Sequence, residues 1–135
     1  MNDTALRELL QNAQVIAVVG HSDNPERDSY QIAQYLRRAG YRVYPVNPTV
    51  EAIDGQRSYA NLADIPEPVD IVDVFRRAEN LPDIVAEALA AGAKAVWGQL
   101  GVAHPEAEAR ATAANLPLVM DRCIKVEHNR LLGGA

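Results

Sequence analysis

Ser22, Arg27 and Ser29 follow Gly20 in one short polar loop, and these residue types in that order suit the holding of a phosphate. Ahead of them Val15, Ile16, Ala17, Val18 and Val19 form an unbroken apolar run, as a strand covered on both faces requires. A glycine at the end of such a strand lets the backbone turn tightly and approach a ligand. The helix that follows aims its free N–H groups and the positive end of its dipole at the same spot, which favours an anion such as a nucleotide pyrophosphate. The dinucleotide fingerprint G-x-G-x-x-G is incomplete, because Ser22 and Pro25 stand where its second and third glycines belong. The second strand, Arg42–Val46, runs into Asn47 and Pro48 rather than the acidic residue that would bind an NAD ribose. An ordinary NAD site is therefore disfavoured, while a phosphate-rich ligand still fits.

Other reactive groups form weaker patterns. Cys123, Glu127 and His128 begin a nucleophile and base arrangement but do not complete one, and a lone cysteine is usually inert packing. His21 sits in the ligand loop, where backbone contacts suffice to explain it, and His104 precedes Pro105 as a loop residue. No catalytic residue and no metal site is expected, and no phosphate loop of the G-x-x-x-x-G-K-[ST] type is present. One cysteine excludes an internal disulfide framework.

Several segments together resemble the small stand-alone CoA-binding proteins, whose domain is similar to the CoA-binding domain of succinyl-CoA synthetase alpha subunits. They are VVGHSDNPERDSY after strand one, YPVNP with Ile53, Asp54 and Gly55 beyond it, VDVFRR after strand three, VWGQLGV after strand four, and MDRCIKVEH at 120–128. The resemblance covers nearly the whole chain. It implies coenzyme A or an acyl-CoA as the cofactor and a Rossmann-like sheet of five strands in the order 3-2-1-4-5. It also implies a non-catalytic sensing or carrier role. The synthetase keeps its phosphorylated histidine in a second domain, and 135 residues leave no room for one.

On that footing the candidate cofactor-binding residues fall in four loops. In the first, Gly20 gives clearance, Ser22 donates a hydroxyl, Arg27 supplies charge, and Ser29 with the amide of Tyr30 meets a phosphate. Asp28 is an anion in an anion site, so it must turn away or pair with Arg27. In the second, Asn47 faces an adenine edge or ribose hydroxyl and Pro48 holds the turn open. In the third, Val74 and Phe75 flank adenine or pantetheine and Arg76 reaches a phosphate. In the fourth, Trp97 borders the pantetheine arm and an exposed Gln99 bonds its amides.

The elements that must position these loops alternate between strand and helix. Helices are expected at 4–12, 30–39, 81–91 and 105–114, and strands at 15–19, 42–46, 70–75, 93–97 and 118–120. Pro45 and Pro48 confine strand two to an edge-like or loop-leading role. The stretch 48–68 reads as irregular with a short helical piece near Leu62, and the tail 133–135 as mobile. This alternation implies right-handed parallel crossovers in a doubly wound α/β sheet, mostly parallel with helices on both faces, forming one domain over 1–135. Ligands of such sheets lie outside the carboxyl ends of the strands, where strand order reverses.

Composition narrows the partners. Net charge is −5, basic residues are scattered, and one Trp and one Phe are too few for an aromatic-interleaved nucleic-acid surface. No apolar run reaches the roughly 18 residues of a membrane span, and a soluble cytoplasmic protein without a nucleic-acid or membrane partner is expected. A homodimer and a protein partner both stay open, since nothing in the chain specifies an interface. Two other functions compete: a nucleotide-dependent oxidoreductase using NAD(P) on the same fold, and a ligand-free protein-interaction module.

Overall fold

The structure is a computed structural model that describes residues 1–133. Helix α1, Asp3–Asn12, starts at Asn2, whose side-chain oxygen accepts from the Ala5 amide. The chain then builds β1, Val15–Val19; α2, Asp28–Arg38; and β2, Arg42–Val46. A small antiparallel hairpin follows, β3 at Ala52–Ile53 and β4 at Gln56–Arg57. After a 3-10 turn at Leu62–Asp64 come β5, Ile71–Val74; a second 3-10 turn, Ala78–Asn80; α3, Leu81–Ala90; and β6, Val96–Gly98. Helix α4, Pro105–Ala113, β7, Leu118–Val119, and α5, Ile124–Leu132, complete it.

The five-stranded sheet is parallel throughout, in the order β2-β1-β5-β6-β7. Side chains alternate across it. Val15, Ala17, Val19, Val72, Val74 and Val96 pack under α3 and α4. Ile16, Val18, Val43, Ile71 and Trp97 pack under α1, α2 and α5. Both faces are thus apolar, which is why the strands read as unbroken hydrophobic runs.

The order corrects one expectation. Counted over the five sheet strands it is 2-1-3-4-5, not 3-2-1-4-5, because the third strand lies against β1 rather than outside β2. Pro45 supplies the reason. Arg42 N–H donates to Gln14 on the β1 side, whereas Asn47 N–H donates outward to Tyr59, so the alternation puts the missing N–H of Pro45 on the outer side. A strand docked there would lack a donor, and only an isolated bridge between Val46 and Tyr59 forms. The third strand instead begins beyond Asp70, whose N–H reaches Val15 on the free side of β1.

Two elements depart from the sequence reading. The stretch 48–68 contains the β3–β4 hairpin, turned by Asp54 and Gly55 at φ 51° and 79°. Positive φ at both central residues is the requirement that an Asp-Gly pair meets. The segment 120–128 leads into α5, and Gly133, expected in a mobile tail, is the left-handed cap of that helix at φ 76°. Gly134 and Ala135 lie outside the described residues. No helix among the described residues is long and apolar enough to cross a membrane.

Candidate functional site

Strand order reverses beside β1, between β1 and β5, and a cleft of about 510 Å³ opens there. Gly20, Ser22, Arg27, Ser29, Asn47 and Phe75 line it, together with Asp23, Asp28 and Thr49. Gly20 has φ 87°, and a Cβ on it would stand 2.4 Å from the carbonyl oxygen of Phe75. Only glycine fits, because the backbone after β1 passes against the backbone after β5 at the mouth of the cleft.

Helix α2 starts at Asp28, two residues earlier than expected, and its first intrahelical bond runs from Gln31 N–H to Arg27 O. The amides of Asp28, Ser29 and Tyr30 therefore have no acceptor within the helix. Ser29 is buried in the first turn, not at the cap, and its hydroxyl oxygen accepts the Ser22 amide at 2.9 Å. Ser22 Oγ in turn accepts the Asn24 amide at 3.0 Å. A hydroxyl that accepts still has a proton to donate, so both serines retain one for a ligand. Arg27 is exposed at the helix start, and Asp28, also exposed, lines the same cleft with no ion pair to Arg27 among the described residues.

Hydrogen bonds hold this loop in shape. The Asn47 side chain donates to His21 O at 2.9 Å and accepts from the amide and hydroxyl of Thr49 at 2.9 and 2.7 Å. Its bonding capacity is thus largely committed to tying β2 to the glycine loop, and Pro48 is exposed outside the cleft lining. His21 is fully buried with Nδ1 2.8 Å from Ser22 O, so Nδ1 carries the proton and Nε2 accepts from Arg37 at 3.2 Å. Burial pushes its pKa down, and the Arg37 charge adds to that against the Ser22 bond, which keeps the ring neutral. Tyr30 turns its hydroxyl to Asp54 on the hairpin, leaving its amide as the part that faces the cradle.

A second cleft, about 520 Å³, adjoins the first across Phe75 and is lined by Arg76, Arg77, Gln99, Leu100 and Val102. Arg76 lies over the glycine, with its Cδ 3.1 Å from the position a Gly20 Cβ would take. Two expectations fail here. Trp97 is completely buried within β6 and donates to Arg122 O at 2.8 Å, so it packs in the core and presents no surface to the cleft. Gln99 is 6 % exposed, not free, and its side-chain oxygen accepts the Ile124 amide at 3.1 Å, capping α5. Val74 is wholly enclosed as well, and its carbonyl accepts from Gln99 N–H. Nor do the closing-segment residues form a reactive set: Cys123 precedes α5, while the His128 ring is engaged by the Tyr35 hydroxyl at 2.8 Å. The residue that sequence reasoning missed is Asp73, which reads as strand interior but carries a buried carboxyl. A charged type inside an apolar run, IVDVF, was its signal.

A parallel doubly wound sheet with a cleft at its switch point defines a Rossmann-like α/β domain. More narrowly, residues 14–129 match the family model for the CoA binding domain, and this chain belongs to that family. Uncharacterized protein YneT of Bacillus subtilis is 41% identical over 123 residues, covering 91% of each chain. A solved structure from Thermus thermophilus superposes with a TM-score of 0.91 at 46% identity, over 97% of this chain and 99% of that one. The ADP-forming acetate–CoA ligase II of Archaeoglobus fulgidus is 32% identical over 81 residues, 58% of this chain but 12% of the ligase. The chain thus spans a small fraction of that enzyme.

Proposed function

We propose that this protein binds coenzyme A or an acyl-CoA, with the diphosphate held at the Gly20 loop and the start of α2, and serves as a non-catalytic sensor or carrier of that ligand. The observation that carries the reading is the cradle itself: a glycine that tolerates no Cβ, three helix amides without intrahelical acceptors, two serine hydroxyls with protons to give, and the Arg27 and Arg76 guanidiniums beside them. Membership of the CoA-binding family supports the choice of ligand. The end of β2 argues against NAD, because Asn47 is neutral and engaged within the loop.

Calorimetric titration with CoA, acetyl-CoA, NADH and NADPH tests the reading. Saturable binding of the CoA compounds without a response to either nicotinamide nucleotide is expected. The opposite preference points to an oxidoreductase, and no binding of any of the four points to an interaction module. Mass spectrometry of the purified protein under native conditions shows which acyl-CoA, if any, accompanies it.

A further inference from the structure

Among the described residues, the two carboxyl oxygens of Asp73 are the buried side-chain polar atoms without a hydrogen-bond partner. Asp73 lies in β5 between Val18 of β1 and Trp97 of β6, with no exposed surface. A buried polar group left unmatched costs free energy, and a charge there costs far more, so the group is held as the uncharged acid. Burial raises its pKa well above the usual carboxylate range, in agreement. Such an acid offers one donor and an acceptor at the same point.

Its position relative to the cleft is what gives this chemistry a use. Side chains two apart on a strand share a face, so Asp73 stands directly behind Phe75, roughly 7 Å deeper along β5. Phe75 is half-buried and forms the wall shared by the two clefts, and Gln99 borders the second of them. We propose that Asp73 is the polar anchor of a subsite behind Phe75 that receives an amide of the ligand's pantetheine arm when that ring swings aside. The inference rests on the CoA reading above. An amide is the group that fits, because it brings one donor and one acceptor and no charge into an apolar surrounding, whereas a phosphate cannot be desolvated there.

The test titrates the wild type, Asp73→Asn and Asp73→Val with CoA and with adenosine 3′,5′-bisphosphate, which is the nucleotide part without the arm. Asp73→Val is expected to lose about tenfold in CoA affinity and nothing for the bisphosphate, while Asp73→Asn, which still donates and accepts, keeps most of its CoA affinity. Infrared difference spectra of the wild type supply a readout that does not depend on Asp73→Val folding, because only the conservative Asp73→Asn serves as the reference. The protonated carboxyl band, assigned by its absence in Asp73→Asn, should shift on adding CoA and stay in place on adding the bisphosphate. Unchanged CoA affinity in Asp73→Val, equal losses for both ligands, or a band that CoA does not move would each overturn the subsite. Failure of the wild type to bind CoA at all would instead overturn the functional reading beneath it.

Discussion

Asp70 and Asp73 stand three residues apart in the chain, yet their surroundings push their protons in opposite directions. Burial alone would raise the pKa of Asp70, but its carboxylate accepts the amides of Gln14 and Val15 at 2.8 and 2.9 Å and faces Lys94 at 3.3 Å, and the net shift is downward. Asp73 has none of these partners and shifts upward. For Asp73, both native and unfolded states hold the proton below the unfolded-state pKa of about 3.9. Above it the unfolded chain ionises and the native state does not, so the stability lent by this group falls as pH rises, until the native carboxyl itself ionises. Urea unfolding of wild type and Asp73→Asn at pH 4.5 and 7.5 should therefore show the variant gaining on the wild type at the higher pH; a constant difference refutes the assignment. At Gly20, alanine would meet both a positive φ and the Phe75 carbonyl, and a loss of more than about 1 kcal/mol in thermal unfolding is expected along with loss of CoA binding. Arg27→Ala should leave the melting temperature nearly unchanged, since the side chain is exposed, and weaken CoA binding by about 1 to 3 kcal/mol in titration. At this scale the sequence showed residue types but not their commitments. Gly20, Ser22, Arg27 and Ser29 are adjacent in the chain, so their convergence could be read directly. The engagement of Asn47 by Thr49, and of Gln99 by Ile124, depends on partners that packing alone brings near.

Helix α5 shows what a local pattern conceals. Its segment carries only Ile124 and His128 as buried residues, too sparse a stripe to announce a helix by periodicity. Tertiary contact holds it: Arg130 pairs with Asp3 of α1 at 2.8 Å, and Gln99 from the β6 loop accepts its first amide. Replacing Gln99 by Leu leaves that buried amide without an acceptor, and a stability loss of about 1 to 3 kcal/mol follows, with faster hydrogen exchange concentrated in the first turn of α5. Uniform exchange across the molecule would show that Gln99 does not act as this cap. The hairpin β3–β4 was missed: Asp54-Gly55 is a turn signal, but strands of two residues are too short for alternation to mark them, and the stretch was read as irregular. Helices α3 and α4 followed their patterns closely, since each carries a proline within its first two positions, Pro82 and Pro105, and several alanines in its body.

For the molecule as a whole, alternation of strand and helix was enough to imply the doubly wound class, but not the neighbour of β1. The position of the third strand is a long-range fact, and the resemblance supplied the wrong order where Pro45 already pointed to an edge. The switch point nevertheless stays beside β1 in either order, so both orders direct attention to the same loops. Because the cradle is built before the ligand arrives, binding should stabilise the native state as a whole. CoA at a hundredfold its Kd should add about 2.7 kcal/mol and raise the melting temperature on the order of 10 °C, and no shift at saturating CoA would contradict the reading.

The two open sides of the sheet carry a last implication. β7 offers only Leu118 and Val119, and the outer side of β2 is interrupted at Pro45 and partly closed by Tyr59. Neither margin can template a run of main-chain bonds to a strand from another molecule. Growth by edge-to-edge stacking, a usual route from such a sheet to insoluble fibres, is therefore disfavoured at both margins of the folded five-stranded sheet.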